Sequence, residues 1–145
     1  MHAEGQAGAI AVAVAAALAT QVGAGLRARD GVAFLAECHA RTPDGPTRRG
    51  IAEARKIHFG CTAATAASWL GSGAHVVSED TVPFSLWCAA RHLDDYQEAL
   101  WTTVSGLGDR DTTCAIVGGI VVLATGAASI PAAWLAARER LPTLE

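Results

Sequence analysis

Residues 4–22 read EGQAGAIAVAVAAALATQV. From Ala7 to Ala19 no side chain is polar, and most are alanine, the residue that loses least on entering a helix. No alternation of polar and apolar positions marks a strand. The stretch predicts a helix from about Glu4 to Val22, apolar nearly all round and so buried in a bundle. It is roughly as long as a bilayer span of about 20 residues. Alanine and glycine contribute little transfer energy, however, and Gln6, Thr20 and Gln21 sit within it or at its end. A basic segment of the signal-peptide kind is missing ahead of it. A core helix is therefore expected, with no membrane span.

The rest of the chain agrees with that reading. Half of the 145 residues are hydrophobic but only 6% are aromatic, a balance that suits close-packed helices better than sheets. A net charge of −3 and the lack of a Lys/Arg run give no basic field for nucleic acid. Cys38, Cys61, Cys88 and Cys114 are widely spaced, with neither a metal-finger nor a disulfide pattern, so a reducing, cytoplasmic setting is expected. Cys88 and Cys114 lie in apolar runs and read as small buried hydrophobes. The fold class is all-α, a compact orthogonal helical bundle, with residues 1–145 as one domain.

Asp30 is a natural cap for a second helix, GVAFLAECHA. RTPDGPTRRG (41–50) reads as the clearest loop, and IAEARKI after it as a short exposed helix. Two more helices are split at Gly71-Ser72-Gly73, the later one capped by Ser78 and tolerating Pro83 in its first turns. Phe84, Trp87 and Cys88 share a face of that helix and predict core. HVV (75–77) is the only strand-like scrap. Asp94 is expected to cap the next helix, which stops at Gly106. An apolar helix runs from Thr112 to about Leu123, and Pro131 starts the last, AAWLAARER. Trp69, Trp87, Trp101 and Trp134 read as core anchors on four separate helices. His39, His58, His75 and His92 read as surface or loop side chains.

Between the last two long helices stands GLGDRDTT (106–113). Asp109, Asp111 and Thr112 offer two carboxylates and a hydroxyl, a donor set that suits magnesium or manganese. The same residues also make an ordinary helix cap, with Arg110 paired to a neighbouring acid. Spacing alone leaves both readings open.

GLGDRDTTCAIVGGIVVLATGAASIPAAWL resembles the C-terminal signature of the ADP-ribosylglycohydrolase family: Gly-Gly-Asp-Thr-Asp-Thr, a small apolar helix, then an IP..W stretch. GSGAHVVSEDTVPFSLWCAARHLDDYQEALWTTVSG resembles the family's glycine hinge, its E..P.AL helix and its DD..EA helix. The opening HAEGQAGAIAVAVAAALA resembles the family's His-x-His-Pro-Glu-Gly segment and alanine-rich helix, with His2 at the second histidine. The resemblance implies an all-α domain holding two magnesium (or manganese) ions. Its ligands here would be Asp109, Asp111 and Thr112, with Asp111 the bridge. It implies cleavage of the glycosidic bond that links ADP-ribose to a protein or small-molecule acceptor. Gly71, Ser72 and Gly73 would line the nucleotide cleft.

This chain departs from the family pattern in several places. Leu107 replaces the first glycine of the signature, and Arg110 replaces a threonine. Arg110 either points away from the metals, pairs with a ligand phosphate, or marks a different substrate preference. The family's Ser/Thr-Asp-Asp run is missing, and the acidic pair in HLDDYQE falls on another family helix. The resemblance thus covers a C-terminal half, with the catalytic residues expected in an N-terminal half and the two-metal centre completed there. On its own the chain is expected to show little or no catalysis, and to self-associate or pair with that half. The alternative is an inactive remnant or subunit that binds ADP-ribose or a partner chain.

Overall fold

The computed structural model describes residues 2–140, and among them there are eight α-helices, one short 3-10 turn and no strand. The helices are α1 (Ala3–Gly23), α2 (Gly31–Arg41), α3 (Pro46–Ala54), α4 (Ala63–Leu70), α5 (Ser78–Arg91), α6 (Tyr96–Ser105), α7 (Arg110–Thr125) and α8 (Ala132–Ala137), with the 3-10 turn at Ala127–Ser129. The expected all-α class holds. HVV is loop.

α5 is the axis of the bundle, with α1, α2, α3, α4, α6 and α7 all packed against it. Every residue from Thr81 to Ala90 is buried. Phe84, Trp87 and Cys88 are in the core as their spacing predicts, and Trp87 also donates its indole N–H to the Ile57 carbonyl at 3.2 Å. Thr81 and Ser85 are tolerated there because each hydroxyl returns to a backbone carbonyl one turn back, Val77 and Thr81 respectively. Two close approaches bring neighbours onto α5. A Cβ at Gly31 would strike the Ala90 carbonyl, and one at Gly50 would strike the Pro83 ring.

α1 is not buried all round. Ala7, Gly8, Ala11, Ala15, Leu18, Ala19 and Val22 form one packed stripe, while Ala9, Ile10, Ala13 and Ala17 are exposed. It is the only described helix long and apolar enough to cross a membrane. Its partners here are α7, α5, α2 and α3.

Several boundaries differ from the sequence reading, each for a local reason. α3 begins inside the expected loop, because Pro46 fits the first helical position, where no N–H is needed. Its end is not exposed: Ile51 and Ala54 are fully buried. Glu4 of α1 caps it from outside, accepting from the Thr47 N–H (3.0 Å) and hydroxyl (2.9 Å), since Gly45 has no side chain to do so. Val77, not Ser78, precedes α5; Ser78 is its first residue and faces Gly8. Asp95, not Asp94, caps α6 through the Glu98 N–H. α7 starts two residues earlier and ends two later than expected, and α8 stops at Ala137. Asp30 caps α2 as expected, through Val32 and Ala33.

Of the four tryptophans only Trp87 is a core anchor. Trp69 and Trp101 are largely exposed, and Trp134 fastens α8 to α6 by ring contacts with Trp101 and Tyr96. All four cysteines are free, with Cys38 and Cys88 buried and Cys114 half-buried. Burial pushes the Cys38 and Cys88 thiols up to about 12.

Candidate metal centre and cleft

The link from α6 to α7 places the acidic residues. Gly106 ends α6 against the Phe84 ring, where a Cβ would clash. Leu107 (φ 61°) and Gly108 (φ 66°) then take two successive left-handed conformations and reverse the chain. Leucine pays for that geometry in strain that glycine avoids, which gives the departure at Leu107 a backbone meaning. The reversal presents the Asp109 N–H to the Ser72 carbonyl at 3.0 Å.

Asp109 is the N-cap of α7. Its Oδ1 accepts from the Thr112 N–H at 3.2 Å, and its carbonyl accepts from the Thr113 N–H (3.1 Å) and hydroxyl (2.8 Å). Asp111 is not in a loop. It occupies the second position of the helix, and Thr112 the third. A hydrogen bond donated by the Asp111 carboxyl in its protonated form, ahead of those from the Thr112 hydroxyl and N–H, holds the Asp109 carboxyl below the usual carboxylate range. That contribution to stability is present above the ordinary aspartate range and is lost as pH falls through the depressed value. Arg110 is exposed and forms no ion pair with either aspartate among the described residues, so of the alternatives open for it the pairing with a neighbouring acid is not seen.

Gly71, Ser72 and Gly73 come to the same place from the other direction. Gly71 (φ 91°) and Gly73 (φ 86°) both require glycine, and a Cβ at Gly73 would stand 2.8 Å from the Asp109 Cβ. The segment backs Asp109 and is not on the wall of the cleft below. Asp80, which the sequence reading passed over, holds this turn: its carbonyl accepts from the Gly73 N–H (3.0 Å) and its Oδ2 from the His75 N–H (2.8 Å). Thr113 was passed over too. Its signal was available, since the second threonine of a Thr-Thr pair in a first turn can bond back to the capping carbonyl.

Beside Asp109 opens a cleft of about 590 Å3 between α1, the start of α5 and α7. Its lining is mostly apolar: Ala9, Val12, Ala13 and Ala16 from α1, Val76 and Val77 from the loop, Val82 and Ile116. Ser78, Thr81, Asp109 and Thr112 are its polar groups. Gly8 lets α1 close on α5, since a Cβ there would lie 2.6 Å from the Ser78 Oγ. Val76 stands at this rim with φ 56°, a strained state for a β-branched residue. An apolar cleft with a few polar groups in its wall is a usual form of small-molecule site.

The family model for ADP-ribosylglycohydrolase matches residues 1–145. The chain belongs to the ADP-ribosylglycohydrolase family. No curated protein and no solved structure matches it. Membership makes this a chain of a glycosidase-type hydrolase family, and its all-α architecture agrees. The donors of this ADP-ribosylglycohydrolase chain are hard oxygens, which fit magnesium or manganese. Among the described residues no group of three or more His, Cys, Asp or Glu side chains is placed to hold a metal ion.

Proposed function

We propose that this ADP-ribosylglycohydrolase chain takes part in metal-dependent cleavage of the bond between ADP-ribose and a protein or small-molecule acceptor. The observation that carries the reading is Asp109 in the wall of an apolar cleft, with Thr112 hydrogen-bonded to it and also lining the cleft. Asp109, Asp111 and Thr112 would hold magnesium or manganese, with the remaining ligands coming from groups outside these residues. Such an ion supplies Lewis acidity and orients substrate oxygens.

The chain's own groups have definable roles. The α1 wall excludes water from one face of the ligand. Ionised Asp109 places negative charge where an oxocarbenium-like centre develops. The Ser72 carbonyl fixes the Asp109 backbone, so that its side chain is aimed without help from the ligand. A second reading is binding of ADP-ribose without turnover in the same, mostly apolar cleft. The free thiols suit a reducing compartment, and we place the protein in the cytoplasm.

Asp109→Asn separates a cap from a ligand. Asparagine caps helices about as well as aspartate, so the melting temperature should hold while manganese binding by calorimetry falls sharply. Equal manganese binding by wild type and variant would refute ligation. Release of ADP-ribose from a modified peptide, assayed with manganese, separates hydrolysis from binding alone.

A further inference from the structure

A second cavity, about 280 Å3, lies between α2 and the link from α3 to α4, and shares no lining residue with the cleft. Leu35 and Ile57 are its buried floor, Phe59 is half-buried beside them, and Val32 is left 65% exposed at its edge. Arg55, Lys56 and His58, all exposed, supply the charge around it. Lys56 pairs with Glu53 at the surface, while among the described residues Arg55 forms no ion pair and comes to His39 Nδ1 at 3.5 Å. His58 Nδ1 accepts from the Gly60 N–H at 2.9 Å, which fixes the ring and leaves Nε2 as its free nitrogen.

The sequence concentrates cations here. Seven of the chain's eleven Lys and Arg lie between Arg27 and Lys56, against four of its fourteen acids, so a chain of net negative charge carries one positive segment. The C-terminus of α3 explains why basic residues follow Ala54. It does not explain an open cavity with an apolar floor beside them. We propose that this cavity binds a small organic anion with an apolar body, an aryl or alkyl phosphate or carboxylate. The charged end meets Arg55, Lys56 and His58, and the body covers Leu35, Ile57 and Phe59. The volume is near the lower end of ordinary ligand pockets, roughly 300–1,000 Å3, and admits a single ring.

The fold provides a reporter. Trp87 donates its indole N–H to the Ile57 carbonyl, and its ring centroid is 6.0 Å from that of Phe59. Titration of isotope-labelled protein with phenyl phosphate should shift the Trp87 indole and Gly60 amide resonances saturably. Phenylacetate in a parallel titration tells which head group is preferred. Inorganic phosphate, which lacks the body, and benzyl alcohol, which lacks the charge, should each bind about tenfold more weakly. Arg55→Gln and Lys56→Gln are surface changes that keep the circular dichroism spectrum, and each should weaken phenyl phosphate by about tenfold. No saturation with either anion in the millimolar range, equal binding of benzyl alcohol, or unaltered affinity in both variants would overturn the proposal. So would shifts confined to Val76 and Thr112 in the other cleft.

Discussion

α1 and α5 reverse what their compositions promise. α1 has no charged side chain beyond Glu4, yet a whole face of it is open. α5 carries Glu79, Asp80, Thr81, Ser85 and Arg91, yet ten consecutive residues of it, Thr81 to Ala90, are buried. The difference lies in the number of neighbours, since α5 is surrounded by six helices and α1 lies at the side of the bundle. Polar groups survive at the centre because each finds a local partner, and no buried side-chain polar atom among the described residues lacks one. Apolarity says that a segment tolerates burial; the packing around it decides how much it receives.

The largest test removes the centre. Trp87→Ala should destabilise the protein by about 3–5 kcal/mol in urea unfolding, through the cavity and the lost bond to Ile57; a loss no larger than that of a surface change would deny α5 its central place. Next comes the packed stripe of α1. Gly8→Ala should cost about 1–3 kcal/mol, because the new methyl meets Ser78, and it should narrow the cleft. Gly5 has open space around it in the same helix, so Gly5→Ala should stabilise by about 0.5 kcal/mol. Smallest of all, Ala17→Glu on the open face should leave unfolding within about 0.5 kcal/mol of wild type. A large loss there would mean that this face is covered after all.

The helical class, the Asp30 cap, the end of α6 at Gly106 and the core face of Phe84, Trp87 and Cys88 were legible, because each depends on residues within a turn or two. α1 misled because alanine scores as apolar on every face while contributing little to a core. The start of α3 was hidden by Pro, Gly and Asp, which mark loops but also begin helices, and by a cap from Glu4 that no local rule reveals. At the acidic site the cap and the cation reading were both visible in GLGDRDTT. The structure shows the cap directly, and the capping carboxylate is also the one that reaches the cleft. What sequence could not supply was the cleft itself, which exists only where α1, α5 and α7 meet. Nor could it supply the placement of Gly71–Gly73 behind Asp109, which follows from the Ser72 carbonyl.

That Ser72–Asp109 link also sets an order of assembly. The Asp109 cap is local to α7 and can form as fast as a helix does. Its alignment with the cleft waits for two segments far apart in sequence to meet, a slower, loop-closing event. A capped helix can thus form without the aimed carboxylate, and the site is complete only when the Ser72–Asp109 contact closes.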